Sequence, residues 1–202
     1  GTPLPATTVA ASFEEAYAFL RKWEGGYVND PDDRGGATNM GITQTTYNDY
    51  RRRHGLPPQD VAQITPGEAE AIYREFWETS GAGKLPRSLG VVHMDTAVNM
   101  GPLRAKRFLE EIQRRNPGTP EAAVEMYLDL RLNRYLELAQ DPSQRKFLPG
   151  WLNRLWDLSY HATGDRAFQR SFEEKASRLL SENPDLAPIL EDPRLLWNQT
   201  RR

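Results

Sequence analysis

The sequence predicts a mainly helical α+β fold: a helical bundle with one small Gly-rich β-hairpin lobe flanking a cleft. Three observations predict it. Apolar residues recur at helical spacing through most of the 202 residues, Ser, Thr or Asp stands where the helices should start, and strand signals are confined to roughly residues 27–43.

The elements follow in order. Ser12-Phe13-Glu14-Glu15 is a capping-box pattern, and Phe13, Ala16, Tyr17, Leu20 and Trp23 form one apolar face of a first helix that Gly25-Gly26 ends. After the hairpin, Thr43 reads as the N-cap of a second helix. Thr65-Pro66-Gly67-Glu68 is another capping box, with Pro at the first helical position, and opens a helix to about residue 79. Residues 89–100 are nearly all apolar, the pattern of a buried central helix, and Gly101-Pro102 starts the next, to about residue 115. Thr119-Pro120 caps a long helix carrying Val124, Tyr127, Leu128, Leu130, Leu132, Tyr135 and Leu138. A helix over 151–160 and one from Asp165 to about 183 complete the set, and the Pro-rich tail 184–202 is expected to wrap the surface or fray.

Chemistry concentrates in the run from Glu24 to Thr43. Glu24 lies four residues after Leu20, on the rim of the first helix's apolar face. The negative end of the helix dipole, with Trp23 and Tyr27 excluding water, pushes a carboxyl there toward a higher pKa. A general acid near neutral pH needs such a pKa, and cleaving a glycosidic bond needs that acid plus a second polar group to manage water or developing positive charge. A glutamate before Gly at a helix end is by itself commonly a solvated surface residue, and it is the Gly-rich continuation that makes Glu24 the catalytic candidate.

The second group is less determined. Asp33 is able to orient water or stabilise an oxocarbenium-like transition state, and equally to accept backbone N–H groups in the tight Asp32-Asp33-Arg34-Gly35-Gly36 turn. Asp30, before Pro31, carries the same two readings. Tyr27, Asp30, Thr38, Asn39 and Thr43 are the lobe's candidates to bind sugar hydroxyls and acetamido groups, Thr43 doubling as a cap. Asp95 and Asn99 share one face of the near-apolar helix; Asp95 is expected to support the hairpin loop, while Asn99 is equally a cleft residue. Trp151, Asn153 and Arg154 read either as core or as cleft.

Three blocks in order resemble glycoside hydrolase family 108, bacterial and phage N-acetylmuramidases with a lysozyme-like fold. They are Glu24-Gly-Gly-Tyr with Asn29-Asp30-Pro31, Gly35-Gly36, Thr38-Asn39 and Gly41-Ile42-Thr43; then Ile72-Tyr73, Trp77, Leu85-Pro86 and the run Asp95 to Gly101; and the run Phe147 to Arg154. The last is similar to a segment labelled a predicted peptidoglycan domain in that family. The resemblance implies that Glu24 is the catalytic acid, that no cofactor is used, and that the substrate is the β-1,4 bond between N-acetylmuramic acid and N-acetylglucosamine in peptidoglycan glycan strands. Arg34 stands where the family usually has Pro. Phage-type lysozymes also carry an Asp nine positions after the acid, here Asp33, and a Thr six further on, where this chain has Asn39 beside Thr38.

Composition bounds the rest. With 38% hydrophobic and 27% charged residues and a net charge of -2, the chain reads as one soluble domain, not a general nucleic-acid binder, and Arg51-Arg52-Arg53 is a candidate basic patch or a solvated face. No cysteine, no metal-ligand spacing among His54, His93 and His161, and no apolar run of about 18 residues occurs, so no disulfide, metal or membrane insertion is expected. The expected organisation is a linker or cut edge over 1–11, a single domain over 12–183 (catalytic part 12–115, C-terminal helices 119–160), and the tail. A monomer acting on the bacterial cell wall is expected, endolysin or secretion-associated, with no signal peptide in these residues and the export route open. The rival reading is a non-catalytic peptidoglycan-binding or secretion-assembly protein on the same fold.

Overall fold

The computed structural model describes residues 9–23 and 25–200. Ten helices and one two-stranded hairpin are found among them: α1 (Phe13–Trp23), β1 (Thr38–Asn39), β2 (Ile42–Thr43), α2 (Gln44–Arg53), α3 (Pro66–Ser80), α4 (Arg87–Met100), α5 (Pro102–Arg115), α6 (Pro120–Leu138), α7 (Pro142–Arg145), α8 (Leu148–Thr163), α9 (Arg166–Ser181) and α10 (Leu196–Gln199). The mainly helical fold class is therefore the one observed.

Helix starts follow local chemistry. Thr43, Thr65, Thr119 and Asp165 each accept a backbone N–H of the first turn through the side chain. The two capping boxes form only in half. Ser12 accepts from Glu15 N at 3.3 Å, but Glu15 pairs outward with Arg87 at 2.7 Å. Glu68 likewise turns away from its cap to take the Tyr47 hydroxyl and Arg51, each at 3.0 Å. Arg51 is thus spent inside the fold, and Arg52 and Arg53 pair with Asp49, Arg53 also with Glu75, so the triple-Arg run is a neutralised helix face.

Every residue from Leu89 to Ala97 is buried, as a helix apolar on all sides requires, and α4 is the axis against which α1, α3, α5, α6 and α8 pack. The packing is close enough to demand glycine at position 90, where a Cβ would fall 2.6 Å from the Ala82 carbonyl oxygen and 2.3 Å from the Ala11 Cβ. Residues 9–11 are accordingly not a free linker: Ala11 N donates to Leu85 O and Arg87 N to Val9 O. Residues 1–8 lie outside the described residues.

The hairpin is short and pinned. Asn39 pairs with Ile42 across the two-residue turn Met40-Gly41, both with positive φ (52° and 77°), the geometry that matches strand twist in such a turn. Met40 bears that conformation without glycine's freedom, and the buried Tyr73 of α3 donates its hydroxyl to the Met40 carbonyl at 2.5 Å.

One open expectation is decided and another is corrected. The tail does not fray through residue 200: Leu186, Leu195 and Trp197 are almost fully buried, because Asn153 of α8 donates to Arg194 O at 2.8 Å and accepts from Leu196 N at 2.9 Å. Asp95 does not support the hairpin. Its carboxylate, 1% exposed, accepts from Arg131 of α6 and from Arg154 of α8, both at 2.7 Å, and so fastens α4 to two later helices. Burial alone would raise the Asp95 pKa, but Arg154 and Arg131 outweigh it and hold the carboxyl below its usual range.

Removing that carboxylate leaves two guanidinium groups without their counter-charge, one of them fully buried. Asp95→Ala is therefore expected to destabilise the fold by about 3–5 kcal/mol, measured by urea unfolding. A loss within the range of a surface substitution would show that the pairs do not hold the helices.

Candidate active site

The hairpin lobe and the helices enclose a cleft of about 420 Å³, within the range of small-ligand sites. Asp33, Thr38 and Thr43 line it from the hairpin side, facing Asn99 at the end of α4, Tyr135 of α6, and Trp151 and Arg154 of α8. A separate depression between α6 and α9, about 40 Å³, is too small for a sugar. Among the described residues no group of three or more His, Asp or Glu side chains is placed to hold a metal ion, and no helix is long and apolar enough to cross a membrane.

Glu24 lies outside the described residues. Its neighbours are placed. Trp23 donates its indole N–H to Asp157 of α8 at 2.8 Å, and Lys22 reaches the same carboxylate at 2.7 Å, so the end of α1 is fastened to the helix carrying Trp151 and Arg154. Tyr27 is 48% exposed, so of the two aromatics expected to exclude water only Trp23 is packed.

Asp33 keeps both of its readings. One carboxylate oxygen accepts Gly35 N–H at 2.9 Å, which is the turn role, and the residue also lines the cleft. Its other oxygen has no bonded partner among the described residues. Gly35 is obligatory here, since a Cβ would fall 2.7 Å from Thr43 Cγ2 and 3.3 Å from Asp33 Oδ1, and this close approach brings Asp33 and Thr43 together on one wall.

The other expected residues divide. Thr43 caps α2 and lines the cleft, and Thr38 lines it from β1. Asn39 does not line it: its amide N–H groups go to the Val61 and Ala62 carbonyls at 3.1 and 3.2 Å, holding the 3-10 turn Val61–Gln63 beneath the hairpin. Asp30 also stands outside the cleft lining, in a clasp between lobes. Lys146 bonds Asp30 (2.9 Å) and Asp32 (2.8 Å), Gln144 donates to Asp32 O at 2.8 Å, and Arg34 reaches Asp141 at 3.4 Å. The Lys146 ammonium and the Asp32 N–H hold the Asp30 pKa below the usual carboxylate range.

Asn99 faces the hairpin residues across the cleft. Its side-chain oxygen accepts from the Tyr135 hydroxyl and, at 3.4 Å, from Arg131, while no acceptor is bonded to its amide N–H groups among the described residues. The buried Tyr135 stacks on Trp151 with centroids 4.9 Å apart and planes 16° from parallel, so that Trp151, backed by Tyr135, is the cleft's aromatic platform. Sequence reasoning placed Tyr135 only as a core residue and did not single out Arg104 and Arg134, which also line the cleft. A signal for Tyr135 was present: Arg131 interrupts the apolar stripe of α6, and a cation there requires buried partners.

Comparison with known proteins gives a family match over part of the chain. Residues 17–101 match the family described as Glycosyl hydrolase 108, a segment that contains Glu24, Asp33, Thr38, Thr43 and Asn99, while the run Phe147 to Arg154 lies outside the match. The match supports a lysozyme-like glycoside hydrolase of peptidoglycan. Among solved structures, that of Brucella abortus SagA is 26% identical, covers 87% of this chain and 95% of its own, and has a TM-score of 0.45. No curated protein matches the chain.

The clasp is expected to depend on charge. Asp30 with a lowered pKa contributes above about pH 4 and loses its contribution as pH falls through its folded value, while Lys146, with a raised pKa, contributes below about pH 10. Lys146→Met is expected to speed amide exchange at Asp33, Gly35 and Gly36 at pH 7, with the difference from the native chain closing below about pH 3. Equal exchange at pH 7 would show that Lys146 does not restrain the loop.

Proposed function

We propose that this chain, a glycoside hydrolase by its family match, cleaves the β-1,4 bond between N-acetylmuramic acid and N-acetylglucosamine in peptidoglycan, acting at the bacterial cell wall. The observation that carries the reading is the cleft: Asp33, Thr38 and Thr43 of the matched segment stand on one wall and Asn99 on the other, with the Tyr135–Trp151 platform beside them.

In this reading Glu24, at the exit of α1, is the general acid. Protonated, it delivers its proton to the glycosidic oxygen as the bond to C1 breaks and positive charge spreads over C1 and the ring oxygen. Asp33 is the base. The oxygen that Gly35 N–H does not occupy takes a proton from the attacking water, and the opposite face of C1 receives the oxygen. Asn99 amide N–H groups and the Thr38 and Thr43 hydroxyls bind the acetamido and hydroxyl groups of adjoining sugars, and the aromatic platform supports a ring face. The net step adds one water across the bond and returns both carboxyls to their starting states after one proton exchange with solvent.

Glu24→Gln keeps the shape but has no proton to give, and it is expected to lower turnover of purified sacculi by about 10²–10⁴-fold while glycan binding persists. Wild-type turnover in that variant would sink the assignment, and binding without turnover in the native chain would favour a purely wall-binding protein. Mass analysis of the new reducing ends identifies the bond.

With Asp33 activating water, the β-linked substrate is expected to yield the α-anomer first, read by NMR of a fresh digest. A β-anomer as first product would remove Asp33 from the role of base.

A further inference from the structure

We propose that Arg104 and Arg134 form a carboxylate-binding wall of the cleft, taking an acidic group borne by muramic acid: its own lactyl carboxylate or a carboxylate of the peptide attached through it. The identity of the ligand rests on the glycosidase reading; the presence of an anion site rests on the residues themselves.

The chain has a net charge of -2, so a concentration of arginine in one cleft does not follow from composition. Four arginines line the cleft, and two are committed elsewhere: Arg154 to the buried Asp95, and Arg34 to Asp141 in the clasp. Arg134, three residues before Glu137 on α6, pairs with that glutamate at 2.9 Å, but the Glu137 side chain is 70% exposed, and such a pair is easily exchanged. Arg104, in the first turn of α5, has no carboxylate bonded to it among the described residues. Its guanidinium lies 6.0 Å from the Phe108 ring centroid, a weak contact.

Arg104 is held in a place that disfavours its charge. Burial acts first and the Arg134 charge second, with Arg107 adding to both and only Glu137 opposing, so that its pKa is drawn down. Two half-buried like charges on a concave wall repel, and an anion between them relieves the repulsion while offering the two oxygens that guanidinium forks match. Hydrolysis of a glycosidic bond by two carboxyl groups asks for no such cations. A glycan of N-acetylglucosamine alone supplies no anion, whereas each muramic acid supplies one, free or through its peptide.

The test uses the full chain carrying Glu24→Gln, compared with the same chain also carrying Arg104→Gln and Arg134→Gln, or Arg104→Lys and Arg134→Lys. Three soluble glycans of equal length are titrated by calorimetry: a peptide-bearing muramic glycan, that glycan after amidase has freed the lactyl carboxylate, and an N-acetylglucosamine oligomer. The double Gln variant is expected to lose roughly tenfold in affinity for a muramic glycan, the double Lys variant, which keeps the charge without the fork, to recover only part of it, and the neutral oligomer to be nearly unaffected. Loss on the peptide-bearing glycan alone assigns the wall to peptide carboxylates, loss on the amidase-treated glycan alone assigns it to the lactyl carboxylate, and loss on both shows that the wall takes either carboxylate.

Unchanged affinity for both muramic glycans, equal loss on the neutral oligomer, or no binding of either muramic glycan before substitution would each overturn the proposal. Melting temperatures of the variants separate unfolding from loss of the site. Cleavage is followed separately with the native chain: if none of the glycans is cut, the glycosidase reading fails while the binding comparison still decides the wall.

Discussion

A single buried carboxylate sets the geometry on which the cleft depends. Asp95 sits on the central helix with almost no solvent contact and receives guanidinium groups from two helices that follow it by 36 and 59 residues. Taking three ionised groups out of water costs several kcal/mol per ion, and an apolar cluster of the same volume would stabilise the helices as well. What the ion pairs add is direction. Arg131, held by Asp95 through Nη1, donates from Nη2 to Tyr135 at 2.9 Å and to Asn99, and those two residues stand at the cleft. The carboxylate thus fixes the rotation of α6 and α8 about α4, and with it which side chains face the hairpin. The network is not complete: Arg131 Nε is buried without a partner, a penalty offset by the bonds its other nitrogens make.

The two walls of the cleft are held by different kinds of interaction. The helical wall rests on buried charge and a continuous apolar cluster that runs from Phe13 to Trp197. The hairpin wall rests on a pinned turn, the Asn39 bonds to the Val61–Gln63 turn, and the clasp, whose lysine and aspartates are substantially exposed. Exposed pairs are weak and exchange with water. The hairpin side is therefore the part of the site with the lower local stability, and the helical side the reference against which it moves.

Much of this was legible in the sequence because it is governed by local rules. The helix starts at Thr43, Thr65, Thr119 and Asp165 follow from the demand of orphan N–H groups for an oxygen, and the burial of α4 follows from a helix with no polar face. What was not legible is how polar groups choose among distant partners. Glu15 and Glu68 are positioned for a capping bond, but an arginine competes for each, and a charged partner wins over a backbone N–H. Asn39 looks like a sugar ligand until the Val61 and Ala62 carbonyls come beneath it. Trp151 stayed open between core and cleft because an aromatic at helical spacing carries no mark of whether its other side meets a neighbour or a cleft, while Tyr135 is the core residue its spacing implies. The tail stayed open between wrapping and fraying for a related reason: three prolines between positions 184 and 193 argue against long helix but say nothing about Leu195 and Trp197 finding a seat against α8.

The clasp and the Asp95 pairs also order events in time. The residues joined across the cleft are separated by 107 to 116 positions, and α8 is itself secured by residues 194–196 near the end of the described chain. On a ribosome, where a chain emerges at about 5–20 residues per second, the first hundred residues are exposed well before their opposite wall has been made. That stretch holds nearly the whole matched segment and yet has neither Arg131 for Asp95 nor Tyr135 for Asn99. Closure of such distant contacts comes late in folding as well as late in synthesis. Until α6 and α8 have docked, the cleft therefore has a hairpin side and no second wall.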